Sequence, residues 1–206
     1  MPGPLGTKVP KMTAPGARDR AAPHRIAAIH YGAGTPVDEL LREVAAKLAE
    51  LGIRVGGLIQ YVEVEDDGCC ATVHLRDLGN GERISISQDL GPAATGCRLD
   101  PAALAEAAAR LERSLDGNLQ MLVLNRFGKA EAEGRGLRPV IQKAVAAGIP
   151  VLLAVKDEHA SAWIAFHGGL AVVLPADLEA IVDWCRQALG PAKAAVAEAE
   201  VASLPP

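Results

Sequence analysis

The sequence predicts an α/β domain: a mostly parallel sheet with helices on both faces and one inserted β-hairpin. Three observations carry that prediction. Apolar runs of strand length alternate with segments whose apolar residues recur at helical spacing. Several of those runs are apolar at nearly every position, as strands covered on both faces are. One stretch instead alternates apolar and polar residues around Gly79-Asn80-Gly81, the signature of a hairpin with a glycine-rich turn.

Residues 26–31 form the first predicted strand, and Gly32-Ala33-Gly34-Thr35-Pro36 the turn after it. A helix follows over 37–51, because Leu40, Leu41, Val44, Ala45, Leu48 and Leu51 share a face and Gly52 supplies the stop. The run 53–61, through Val55, Leu58 and Ile59, closes this βαβ unit. Residues 71–78 and 82–88 are the arms of the hairpin, an antiparallel insertion. Asp100-Pro101, an N-cap followed by proline at the first helical position, starts a helix to about residue 115 with Leu104, Ala108, Leu111 and Leu115 on one side. Strand-like runs recur at 119–124, 151–155 and 170–174. A helix over 137–147, stopped by Gly148 and Pro150, separates the first two, and a short helix at 161–166 separates the last two. The final helix, 177–189, turns Leu178, Ile181, Val182, Cys185 and Leu189 inward. Residues 1–24, with Pro2, Pro4, Pro10, Pro15 and Pro23 and no hydrophobic run, read as a disordered leader, and 191–206 as a flexible tail. A single domain over 25–190 remains.

Composition removes several classes of function. The chain has 206 residues, half of them apolar, with 25 acidic against 21 basic side chains, so disorder is not its main state. Aromatic residues make up only 3% and the formal charge is −4, which argues against base-stacking and phosphate-backbone surfaces and hence against nucleic acid as a partner. No run approaches the roughly 18 to 20 apolar residues of a membrane span. The four cysteines, Cys69, Cys70, Cys97 and Cys185, form no CxxC pair and the histidines no ligand triad, so no metal site is expected; reduced thiols and no export signal read as cytoplasmic.

Open parallel sheets bind ligands at the carboxyl ends of their strands, and four polar clusters are expected there. Gly32, Gly34 and Thr35 sit before a helix start, where backbone amides hold anions, although Asp38-Glu39 add negative charge and no lysine lies between Tyr31 and Arg42; a plain capped turn is the alternative. Gln88-Asp89-Leu90-Gly91 with Gly96-Cys97-Arg98-Leu99-Asp100 brings a guanidinium to the next helix start, or else pairs Arg98 with Asp100 or Asp89. Asn125-Arg126-Phe127-Gly128-Lys129-Ala130-Glu131-Ala132-Glu133-Gly134-Arg135-Gly136 is the densest signal: Arg126, Lys129 and Arg135 among glycines, in a loop after a strand, with self-neutralising Lys/Glu and Arg/Glu pairs as the alternative. Lys156-Asp157-Glu158-His159 is the fourth.

These segments, Ile86-Ser87-Gln88-Asp89-Leu90-Gly91, Gly96-Cys97-Arg98-Leu99-Asp100 and the residue 125–136 loop above all, resemble a bacterial domain-of-unknown-function family, number 2478, over residues 26–189. The resemblance implies a three-layer fold related to small P-loop nucleoside triphosphatases and, from labels given to members, an association with molybdenum transport. It matches Gly128, Lys129 and Glu131 to a Gly-Lys-x-Glu segment, Asn125 to the neighbourhood of a Mg²⁺-linked acid, and 32–35 to a phosphate loop without its lysine or paired hydroxyl.

Three readings follow. The leading one is a non-hydrolytic binding or accessory protein for a small anion, a nucleotide phosphate or a molybdate-like oxyanion, held by Arg98, Arg126, Lys129 and Arg135, by amides near Gly32, Gly34, Gly96 and Gly128, and by Thr35, Gln88, Cys97 and Asn125. The second is a divergent Mg²⁺-dependent nucleoside triphosphatase with Glu131 as general base; Mg²⁺ enters only with a bound nucleotide. The third is an assembly partner or homo-oligomer using the hairpin edge.

Overall fold

The computed structural model describes residues 24–64, 71–88 and 99–190. The predicted cluster around Gly96, Cys97 and Arg98, the leader and the tail lie outside the described residues.

Strand β1 (Ile26–Tyr31) leads into α1 (Val37–Glu50), which buries Val37, Leu41, Val44, Ala45 and Leu48. Gly52, at φ +72°, ends this helix: its amide donates to Ala49 O and that of Ile53 to Leu48 O, a left-handed stop that leaves the apolar Ile53 turned back on the core. The same pair of bonds, Gly148 to Val145 and Ile149 to Ala144, ends a later helix, α4 below. Both stops stand where the glycines predict them.

The remaining elements are β2 (Val55–Val64), β3 (Ala71–Asp77), β4 (Arg83–Ser85), α2 (Pro101–Ser114), β5 (Met121–Phe127), α3 (Lys129–Ala132), α4 (Arg138–Ala146), β6 (Val151–Lys156), a 3-10 turn (Asp157–His159), α5 (Ala160–His167), β7 (Ala171–Leu174) and α6 (Leu178–Leu189). The Asp100 carboxylate caps α2 by accepting from the amides of Ala102 and Ala103. The strands form one sheet ordered β4-β3-β2-β5-β6-β1-β7. From β2 to β7 it is parallel; β3 and β4 extend it antiparallel as a ribbon on the β2 edge. The hairpin is thus a continuation of the main sheet, because β2 runs three residues past Tyr61 and pairs Val64 with Ala71.

Helices α1 and α6 cover one face, packing Leu41, Val44, Leu48, Ile181 and Cys185 on Ala27, Ile29 and Val123. On the other face Leu111 of α2, Val140 and Ile141 of α4, and Trp163 of α5 pack on Ala28, Leu122 and Leu153. Each large apolar side chain so enclosed contributes on the order of 1.5–3 kcal/mol. The fold is therefore a three-layer α/β, P-loop-like scaffold with an inserted hairpin. Adjacent strands β1 and β6 send their helices to opposite faces, α1 toward β2 and α5 toward β7, and this divergence opens a crevice at their carboxyl ends.

One boundary differs from expectation in a way that matters for the site. Strand β5 does not stop at Leu124 but continues through Asn125 and Arg126 to Phe127, so the first three residues of the predicted loop are strand residues. Phe127 re-pairs with Val155 and buries its ring against Trp163, 5.2 Å away, which holds the strand straight past its polar pair.

Candidate functional site

The crevice is floored by the ends of β1, β5 and β6. The register between β5 and β6 shifts between Leu124 and Phe127, leaving Asn125 and Arg126 outside the paired ladder. Asn125 is 4% exposed, and neither its Oδ1 nor its Nδ2 has a hydrogen-bond partner. A buried amide in that state costs on the order of 1–3 kcal/mol per unmet group, so it marks a place built for something other than stability.

Arg126 reaches across to α1. Its Nη2 lies 3.0 Å from both oxygens of Asp38, while its Nε is buried and unpartnered. Tyr31, the last residue of β1, has a buried hydroxyl without a partner. Burial pushes that phenol above its ordinary pKa; Arg126 and Lys156 pull it down, and Asp38 and Glu158 push it further up. Those charges stand on α1, on β5, at the end of β6 and in the turn after it. His30 Nε2, one residue earlier, is also buried and unpartnered.

The turn after β1 closes on itself. Thr35 donates its amide to Gly32 O at 3.4 Å, and Val37 donates to Thr35 O at 2.8 Å. A side chain at 32 would lie 3.3 Å from Asp157 Oδ2, so a carboxylate from the β6 end stands against this turn. Helix α1 begins at Val37 after an N-cap proline, Pro36, with no side-chain cap, and its first turn carries Asp38 and Glu39. Lys156 donates to Glu158 at 3.0 Å and thereby holds the Glu158 carboxyl below its usual range.

The rest of the predicted loop lies elsewhere in character. Glu131 is 5% exposed, and its two oxygens are both engaged: Oε2 accepts from the Gly128 amide at 2.9 Å and Oε1 from the Leu137 amide at 2.8 Å. It caps the one-turn helix α3 and fixes the path into α4, so each of its oxygens has a structural partner. Lys129 is 83% exposed, 3.9 Å from Glu133, and Arg135 pairs with the same Glu133. These two cations are turned to solvent and share a carboxylate. Gln88 is half-buried at the end of the described hairpin, after the isolated bridge between Ser87 and Leu99.

The structure therefore ties Arg126 of the predicted set to Asp38 in the first turn of α1, just after the turn at Gly32, Gly34 and Thr35, with Asn125 beside it in the chain, and it leaves Lys129, Glu131 and Arg135 in a self-contained cap. Tyr31 and the pairing role of Asp38 were not foreseen. The signal was available: Tyr31 ends a strand whose alternate residues, Ala27 and Ile29, face α1. Among the described residues no group of three or more His, Cys, Asp or Glu could hold a metal ion, and no helix is long and apolar enough to cross a membrane.

A sequence model described as "Protein of unknown function (DUF2478)" matches residues 26–184. A curated relative from Bradyrhizobium diazoefficiens, named "Molybdenum import ATP-binding protein ModC 2", is 40% identical over 164 residues. The aligned region is 80% of this chain but 18% of that relative, so the chain spans about a fifth of its length. No solved structure matches the chain.

Proposed function

This chain belongs to the DUF2478 family, and from that premise we propose that it is a non-hydrolytic accessory module linked to molybdenum import, which binds a small tetrahedral oxyanion of the molybdate type at the carboxyl ends of β1, β5 and β6. The molybdenum link rests on the name of the relative, and the binding mode on the geometry. The observation that carries it is the buried, unpartnered amide of Asn125 beside the unpartnered Nε of Arg126. Together with the Tyr31 hydroxyl, the Asn125 Nδ2 and the Arg126 Nε are donors whose cost an oxyanion's acceptors offset. In this reading Arg126 is shared between Asp38 and the bound anion, and the Gly32–Thr35 turn lies along one side.

A compact dianion suits the site better than a triphosphate. The turn has no lysine, Asp38 and Glu39 oppose phosphate at the helix start, and Glu131 is committed to two amides. The unit that acts is the single α/β domain over 25–190, working in the cytoplasm.

Calorimetry with sodium molybdate, tungstate and sulfate tests the reading. Saturable binding is expected, weakened at least tenfold by Arg126→Ala, with no Mg²⁺-dependent phosphate release from ATP. Silence from all three anions at high micromolar concentration would end it.

A further inference from the structure

The sheet carries a second concave surface, on the face of α1 but over the ribbon and away from the crevice. A groove of about 740 Å³ runs between α1 and the strands β2, β3 and β4, within the roughly 300–1,000 Å³ of small-molecule sites. Its apolar lining is Ala45, Ala46 and Ala49 of α1 on one side and Val55, Ile59 and Leu78 on the other. Alanines on successive turns make that helical wall low and smooth.

Cations outnumber anions on its rim: Arg42 on α1 and Arg76 and Arg83 on the ribbon, against Asp77. Asp77 is already occupied, since its Oδ1 accepts the Gly79 amide at 2.8 Å in the hairpin turn. Arg76 and Arg83 are direct cross-strand partners, so their side chains leave the same face of the ribbon side by side. Arg83 is anchored by Glu63 and lies over the Tyr61 ring at 5.3 Å. Arg76 is exposed and has no ion pair or hydrogen bond among the described residues. Like charges placed directly opposite one another destabilise a hairpin; Glu63 balances Arg83, and among the described residues none balances Arg76.

We propose that this groove is a binding site for an aromatic organic anion of nucleoside-monophosphate size, its flat body on the alanine wall and its anionic head between Arg76 and Arg83, with Arg42 closing the opposite rim. The apolar lining is too extensive for an inorganic anion alone. Arg83 is paired with Glu63 and Arg42 with Glu39, so Arg76 is the guanidinium that favours an anionic occupant over a neutral ring, and the forked donors of the pair Arg76 and Arg83 suit a phosphate. Its anion-holding arginines, Arg76 and Arg83, stand on β3 and β4, whereas the oxyanion site above lies at the ends of β1, β5 and β6, and the two differ in ligand class.

The test is calorimetry of the whole chain with AMP, adenosine and inorganic phosphate, each against the parent protein, Arg76→Ala and Arg126→Ala. AMP is expected to bind saturably and at least tenfold more tightly than adenosine or phosphate, and Arg76→Ala is expected to weaken it at least tenfold. Arg126→Ala is expected to leave AMP binding unchanged, while Arg76→Ala leaves molybdate binding unchanged. Removing Arg76 relieves a repulsion, so the variant folds, which an unchanged or raised melting temperature verifies. No AMP binding up to 1 mM, on the order of 4 kcal/mol of binding free energy, overturns the proposal. So does AMP binding that ignores Arg76 or depends on Arg126.

Discussion

At the carboxyl ends of β1, β5 and β6 each of the cations Arg126 and Lys156 already holds a carboxylate, Asp38 and Glu158 respectively, and the groups left without partners are buried: the Asn125 amide, the Tyr31 hydroxyl, a ring nitrogen of His30 and the Nε of Arg126. On the ribbon of β3 and β4 the situation is reversed: the group left over is a cation, Arg76, beside a second cation. Both are polar surfaces on one sheet, yet they select ligands by different physics. The first offers desolvated hydrogen bonds, strong and short-ranged and little affected by salt. The second offers open charge over an apolar floor, attractive at a distance and screened by salt within about 10 Å at 0.1 M.

The two regions meet at β2, which pairs with β5 on one side and β3 on the other, and the seam is the place where one substitution damages both. Gly57 has φ +137°, and a Cβ there would lie 1.8 Å from Val123 O, a backbone atom of β5 that cannot step aside. Its carbonyl also accepts the Leu78 amide of the ribbon. Gly57→Ala is expected to cost on the order of 3 kcal/mol or more, read as a shift of the urea midpoint. A loss below about 1 kcal/mol would mean that the ribbon is only loosely joined to the parallel strands.

The next largest effect separates the crevice from the cap beside it. Glu131→Ala strips the acceptor from two amides, Gly128 and Leu137, for an expected cost of about 2–4 kcal/mol. Glu131→Gln, which keeps one carbonyl oxygen, recovers part of that. If Glu131→Gln were instead as stable as the parent and abolished a phosphate release seen in the parent, the carboxylate would belong to the crevice as a base and the division drawn here would fail.

The parallel end also has a pH lever that the arginines of the ribbon lack. His167 Nδ1 accepts the amides of Gly169 and Ala171 at the start of β7, which requires a neutral ring. Burial lowers its pKa from the ordinary 6.5, and His30 lowers it further. A depressed folded pKa contributes stability that is present above 6.5 and lost as pH falls through the folded value. Urea melts taken downward from pH 7.5 should therefore show a loss beginning near 6.5 that His167→Phe removes. An unchanged slope in that variant would assign the titration to other groups.

How far these contrasts were legible beforehand depends on whether the cause was local. Gly52, Gly148 and Asp100-Pro101 mark helix ends through their own backbone chemistry, and each stands where it was read. Asn125, Arg126 and Phe127 read as loop from sequence because two polar residues interrupt an apolar run. Only the distant pairing of Phe127 with Val155 makes them strand. The reading of Glu131 as a base comes from the match of Gly128, Lys129 and Glu131 to the Gly-Lys-x-Glu segment of the resembled family, while its capture by the amides of Gly128 and Leu137 depends on how the chain folds round it. Arg76 and Arg83 were passed over although the turn at 79–81 places them opposite each other. That register is computable from the sequence, but the groove wall supplied by α1 is not.

The smallest expected effect is also the one that tests the contrast most directly, because it predicts opposite signs. Arg126 and Asp38 are each about a third exposed, so breaking their pair by Arg126→Ala lowers stability, by about 1 kcal/mol or less after allowance for solvent screening. Arg76→Thr removes a like-charge neighbour from Arg83 and puts a β-branched residue in a strand, so it raises the stability of the ligand-free protein by about 0.2–1 kcal/mol. Raising NaCl to 1 M, where the screening length falls to about 3 Å, shrinks the gain from Arg76→Thr without reversing it. If both substitutions destabilised to the same degree and salt altered neither, the cation on the ribbon would be paired after all, and the two ends of the sheet would hold their charges in the same way.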